Sequence, residues 1–71
     1  MTEKEDQEIV AGVVMEALPS TLFKVKLENG REQIAYLSGK MRLHRIKVLI
    51  GDRVSVNLDK YGGKGRIVKR L

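Results

Sequence analysis

Nine of the fourteen lysine and arginine side chains fall in two short stretches. Lys40, Arg42, Arg45 and Lys47 lie between Ser38 and Lys47, together with His44 and without a single acid. Lys60, Lys64, Arg66, Lys69 and Arg70 follow near the end, interleaved with Gly62, Gly63 and Gly65. The chemistry open to such residues is anion binding. Lysine and arginine neutralise phosphates, and each phosphate neutralised releases condensed counterions. Glycines between the cations let backbone amides come close to a phosphate.

Covalent chemistry has far less to draw on. His44 is the sole histidine, and cysteine is absent. No carboxylate stands near His44 in sequence to orient it as a base. It also lacks companion ligands for a metal. The glycine run does not follow the P-loop pattern of glycine, four residues, then Gly-Lys-Ser/Thr. These residues point away from an enzyme and call for no metal and no cofactor.

Net charge is +5 and is unevenly spread. Residues 1–10 hold one base and four acids, a net of −3, and residues 11–71 hold 13 bases and five acids, a net of +8. From Ser38 onward only Asp52 and Asp59 oppose ten bases. Such asymmetry fits a nucleic-acid partner better than an anionic membrane or a surface charged only for solubility. No apolar run approaches the roughly 20 residues of a membrane-spanning helix. The acidic, polar start is unlike a secretory signal, and a chain without cysteine suits a reducing compartment. The expectation is a cytoplasmic monomer.

The elements that must position these cations are short. With 71 residues, one domain over 1–71 is expected, its core thin because so small a chain buries only roughly 60% of its unfolded surface. Residues 1–7 lack an apolar pattern and are expected to be mobile. Ile9 to Leu18 reads as a long strand, and Gly12 within it marks a bulge or a barrel corner. Pro19-Ser20 turns the chain. Phe23, Val25 and Leu27 alternate with Lys24 and Lys26, as in a half-buried strand. Asn29-Gly30 predicts a type I′ hairpin with positive φ at both residues. Arg31 to Leu37 returns, with Ala35 and Leu37 inward and Ile34 and Tyr36 outward. Ser38 can cap a short helix, whose apolar face would comprise Met41, Leu43, Ile46, Leu49 and Ile50. After the Gly51-Asp52 turn, Val54, Val56 and Leu58 alternate with Arg53, Ser55 and Asn57. Arg66 to Leu71 forms the last strand, where adjacent Ile67 and Val68 leave the inward residue open.

Three strands, a helix and two strands are too few for a two-layer sandwich. Closing the sheet on itself removes its edges. The predicted fold is all-β: a five-stranded oligonucleotide-binding-fold barrel, of S1-like type, with a short helix between strands three and four. Aromatics are scarce. Phe23 belongs to the core, while Tyr36 and Tyr61 are candidates for stacking on unpaired bases. A cold-shock type single-stranded RNA chaperone, the alternative reading, would place a row of aromatics on its sheet. Lacking that row, the chain is expected to recognise a folded RNA by shape and phosphate. A protein-interaction barrel docking an acidic partner is the rival outside nucleic-acid binding.

The segments Gly12-Val13-Val14-Met15-Glu16-Ala17-Leu18-Pro19-Ser20, Val25-Lys26-Leu27-Glu28-Asn29-Gly30, Ala35-Tyr36-Leu37-Ser38-Gly39-Lys40-Met41-Arg42, Gly51-Asp52-Arg53-Val54 and Lys64-Gly65-Arg66-Ile67-Val68 resemble bacterial translation initiation factor one nearly end to end. The resemblance implies a factor that binds rRNA at the A site of the small ribosomal subunit. There it would contact the 16S decoding region and a neighbouring ribosomal protein, block premature tRNA entry and assist initiation factors two and three. Matching positions imply rRNA contacts from Lys40, Met41 and Arg42, and from Lys64, Gly65, Arg66 and Arg70. Charge and position add Arg45, Lys47 and Lys69. The chain resembles a divergent member: Leu43-His44-Arg45 and Lys69 bring charge where the family carries aromatics.

Overall fold

The computed structural model describes residues 7–59 and 62–71. β1 (Gln7–Leu18) is the longest strand and pairs along both edges. Its first part runs antiparallel to β4 (Arg53–Asp59) and its second part antiparallel to β2 (Leu22–Leu27). The changeover centres on Gly12, which stands opposite Leu27 on one side and Val54 on the other. A Cβ at Gly12 would lie 2.6 Å from Val25 Cγ1 and 2.8 Å from the Lys26 carbonyl oxygen. Glycine therefore permits the close approach that curls the strand. The barrel corner expected at Gly12 is present, and the register shifts a little later, between Val14 and Glu16.

β3 (Glu32–Leu37) pairs with β2, and β5 (Gly65–Arg70) pairs parallel to β3 and antiparallel to β4. The sheet closes as β1-β2-β3-β5-β4. One helix, α1 (Gly39–Leu43), stands between β3 and β4. This is the all-β barrel that the alternation predicts. Phe23, Val25, Leu27, Ala35, Val54 and Val56 are buried, with Leu37 and Leu58 packed against them. On β5 the inward residue is Ile67. Val68 is the extra residue where the register with β4 slips, since Ser55 pairs with Lys69 and Val56 with Ile67. The mobility expected of residues 1–7 concerns residues 1–6, which lie outside the described residues, and Gln7, which opens β1 opposite Asp59.

Two local expectations are corrected. The hairpin at Asn29-Gly30 is not a two-residue turn. Gly30 alone has positive φ there, at 88°. Its amide donates to the Leu27 carbonyl at 2.9 Å, and the Leu27 amide donates to the Arg31 carbonyl at 2.8 Å. Three residues, Glu28 to Gly30, form the loop, and the glycine makes the bulge that such loops require.

The apolar face expected of the helix also fails. Met41 is 1% exposed, but Leu43 is 78%, Leu49 62% and Ile50 66% exposed. The helix ends at Leu43, so helical periodicity has nothing to act on beyond it. Val48, outside the expected set, supplies the second buried anchor.

Candidate nucleic-acid interface

The Ser38 hydroxyl accepts the Met41 amide at 3.2 Å, the capping bond its residue type predicts. The Ser38 amide donates to the Ile67 carbonyl at 3.0 Å. α1 is thus hung directly from the parallel junction of β3 and β5. Burial of Met41 turns Lys40 and Arg42 outward.

The helix closes in a Schellman arrangement. The Ile46 amide reaches the Met41 carbonyl at 3.0 Å, and the Arg45 amide reaches the Arg42 carbonyl at 3.1 Å. Such a close demands a left-handed residue, usually glycine. Here Arg45 takes that conformation, with φ 54°.

Cations line grooves on both sides of α1. One groove, about 700 Å³, runs between the helix and the end of β5 and is lined by Lys40, His44, Lys69 and Arg70 over Met41, Ile46 and Val68. The other, about 460 Å³, is lined by Arg42, Arg45 and Lys47 over Phe23, Leu37 and Val48. Met41 and Ile46 line both. The structure therefore brings Lys40 and His44 to Lys69 and Arg70, which are distant in sequence, and sets Arg42, Arg45 and Lys47 on the opposite flank of the same short helix.

The remaining predicted residues distribute along β5. Arg66 is exposed and pairs in register with Tyr36 of β3 and Asn57 of β4. Lys64 precedes the strand, five residues from Lys69, a span of roughly 16 Å at about 3.3 Å per residue. Gly65 is buried, and a Cβ there would lie 2.6 Å from Val56 Cγ1. Its small size serves packing of the barrel wall. Tyr61 and Lys60 lie outside the described residues.

Ion pairing separates these cations from others. Glu16 and Glu32 each lie 3.8 Å from Lys24, Glu28 lies 3.9 Å from Arg53, and Asp52 lies 3.4 Å from Arg70. Among the described residues, no carboxylate is within ion-pair range of Lys40, Arg42, Arg45, Lys47, Lys64, Arg66 or Lys69. Also among the described residues, no group of three or more histidines and acids could hold a metal, and no helix is long and apolar enough to cross a membrane. Sequence reasoning passed over Asn57 as a plain outward residue of β4. Only the pairing of β4 with β5 brings it beside Arg66.

A closed five-stranded barrel, a helix inserted after its third strand and cations clustered around that helix define an oligonucleotide-binding-fold protein. Over residues 1–71 the sequence matches the family described as Translation initiation factor 1A / IF-1, and the chain belongs to that family. The structure is similar to the solution structure of translation initiation factor one from the Wolbachia endosymbiont strain TRS of Brugia malayi. Their TM-score is 0.81 at 42% identity, over 97% of this chain and 83% of that one. It is also similar to part of the crystal structure of YjeQ from Thermotoga maritima. There the TM-score is 0.75 at 32% identity, over 90% of this chain and 23% of the other.

Proposed function

We propose that this family member acts in the cytoplasm by binding rRNA at the A site of the small ribosomal subunit. Bound there, it blocks premature tRNA entry and assists initiation factors two and three in assembling the initiation complex. It contacts the 16S decoding region and a neighbouring ribosomal protein as a monomer, without catalysis or cofactor. The observation that carries this reading is the pair of cation-lined grooves flanking α1, balanced by acids among the described residues only where Asp52 meets Arg70.

The physical logic is placement. A five-residue helix exposes charge on both flanks while its single buried side chain, Met41, anchors it. Lys40, His44 and Lys69 face one side and Arg42, Arg45 and Lys47 the other, so a ridge of this kind fits between two RNA strands. Lys64, Arg66 and Arg70 extend the contact along β5. Cations whose backbone positions the fold already sets favour a folded RNA over a flexible single strand, because less freedom is then lost on docking.

Chemical footprinting of the small-subunit RNA, with and without the protein, tests the proposal. Protection confined to the decoding region is expected. An unchanged pattern at saturating protein overturns it. Equal affinity for any unpaired oligonucleotide, with no preference for the subunit, would favour the chaperone reading instead.

A further inference from the structure

The groove between α1 and the end of β5 holds one group unlike the rest. Lysine and arginine side chains stay charged through neutral pH, whereas histidine is the side chain whose charge ordinarily changes between about pH 5 and 8. His44, the sole histidine, lines this groove with Lys40, Lys69 and Arg70 over Met41, Ile46 and Val68. Its amide donates to the Lys40 carbonyl at 3.1 Å, so the two residues stand one helical turn apart on the same side of α1. Lys69 enters the groove from β5, and Arg70 beside it is held by Asp52 at 3.4 Å. No carboxylate side chain lines the groove. His44 is exposed, and its ring forms no hydrogen bond or ion pair among the described residues.

We infer that Lys40, His44 and Lys69 form one site for RNA backbone phosphate, in which His44 binds as the imidazolium, so that docking takes up a proton. The inference deepens the rRNA-binding reading and rests on this flank of α1 meeting RNA. Three features support it. Both ring nitrogens are open, and a protonated ring offers two donors where a neutral one offers a single donor. The groove gives the imidazolium no anion of its own, so a phosphate from outside is the partner that holds its charge. Charges of one sign over an apolar floor also focus the field that draws an anion in. The opposite groove differs: Arg42, Arg45 and Lys47 are the cations that line it, and neither residue type changes charge near neutral pH. Proton uptake therefore belongs to one flank of the ridge. Its sign follows by linkage. The complex holds more protons than the separated partners, so affinity is greatest below the imidazole range and falls as pH rises through it.

The test measures binding of the full chain to vacant small subunits from about pH 5.5 to about pH 8, beside His44→Gln and His44→Arg. The ring supports nothing in the fold, so both variants should keep the barrel. Wild-type affinity should fall about tenfold across this range. Its slope of log K against log salt should flatten by about 0.7 to 0.9 as one phosphate contact loses its charge. His44→Gln should bind at every pH as the wild type does at the alkaline end, and His44→Arg should bind tightly throughout. Titration of the subunit itself is common to all three chains and cancels between them. Calorimetry near neutral pH, in two buffers of different ionisation enthalpy, counts the protons directly. The wild type should take up a fraction of a proton more than either variant. Equal proton counts, or a pH profile that His44→Gln leaves unchanged, would overturn the site. Subunit binding that stays salt-dependent after such a result leaves the broader rRNA reading standing. A wild-type chain that binds no subunit at any pH removes both.

Discussion

The Asp52 carboxylate stands 3.4 Å from Arg70 Nε and also accepts the Leu49 amide at 2.8 Å. One acid thus ties the end of β5 to the turn that follows the α1 segment. The Asp52 amide closes that turn on the Leu49 carbonyl at 3.0 Å, and the Leu71 amide reaches the Arg53 carbonyl at 2.8 Å. Arg70 is therefore partly committed to the fold, unlike Lys69 beside it.

Replacing Asp52 by alanine should accordingly cost stability. The Leu49 bond to a charged acceptor contributes about 1.5 kcal/mol, and the half-exposed ion pair adds at most about 1 kcal/mol. Urea unfolding should show a loss of about 1–2 kcal/mol. In a double-mutant cycle with Arg70→Ala, a coupling of about 0.5 kcal/mol or more is expected. No coupling would mean that the two side chains act separately. Arg70→Ala should also weaken subunit binding less than Lys69→Ala, since only Arg70 has an acid that already satisfies it.

Arg45 offers a trade between stability and binding. Its left-handed backbone costs about 1–2 kcal/mol relative to a right-handed one, and glycine removes that strain at the position where it is the usual choice. Arg45→Gly should raise the thermal midpoint by a few degrees and weaken binding of the small subunit. Arg45→Ala keeps the strain and removes the charge, so it should weaken binding without the gain in stability. Equal midpoints for the two variants would show that the strain has been relieved elsewhere.

The core was legible in the sequence because strand alternation is local. Phe23, Val25 and Leu27, or Val54 and Val56, announce their inward face by spacing alone. The Ser38 cap was legible for the same reason, since capping needs only a hydroxyl at the right offset. What stayed hidden depends on residues brought together by the closed sheet. Nothing near Tyr36 in sequence says that Arg66 will lie beside it, because a parallel pairing of β3 and β5 sets that register. Leu43, Leu49 and Ile50 read as a helical face because periodicity cannot see Arg45 adopt positive φ and end the helix. Gly65 read as a phosphate contact among basic neighbours, while its position against Val56 follows from the barrel wall. His44 read as a lone imidazole beside Lys40, and only the groove between α1 and β5 unites it with Lys69 and Arg70.

Salt dependence should sort the cations by whether an acid already holds them. Each phosphate that a variant leaves unneutralised lowers the slope of log K against log salt by about 0.7 to 0.9. Lys40→Ala, Arg42→Ala and Lys69→Ala should each reduce the slope by about that amount in binding to vacant small subunits. Lys24→Ala and Arg53→Ala, whose side chains face Glu16, Glu32 and Glu28, should leave it unchanged. Equal slopes throughout would mean that binding follows net charge and not position.

Two glycines should differ in how badly they tolerate a methyl group. At Gly12 an added Cβ meets the Lys26 carbonyl oxygen as well as Val25 Cγ1, and backbone cannot step aside. At Gly65 it meets Val56 Cγ1 and, at 3.2 Å, Gln33 Cγ, both side-chain atoms. Overpacking of this kind costs about 1–3 kcal/mol. Gly12→Ala belongs at or above the upper end and Gly65→Ala toward the lower. Guanidinium unfolding of both variants decides the order, and a costlier Gly65→Ala would show that β5 is the more rigid wall.

Ser38 is where fold and proposed function meet most closely. It is 8% exposed, so removing its hydroxyl leaves the Met41 amide buried without an acceptor. The cost should be about 1–2 kcal/mol. Helices shorter than about 12 residues have little stability of their own, so the loss falls mainly on α1, which has five. Fraying there releases Lys40 and Arg42 together. Ser38→Ala should therefore weaken small-subunit binding more than Lys40→Ala does, although it removes no charge, and the barrel strands should keep their amide exchange protection. Ser38→Thr retains the capping oxygen and should restore binding. If Ser38→Ala binds as well as wild type while α1 amides exchange faster, the helix orders on the RNA and its preformed shape is not what the RNA selects.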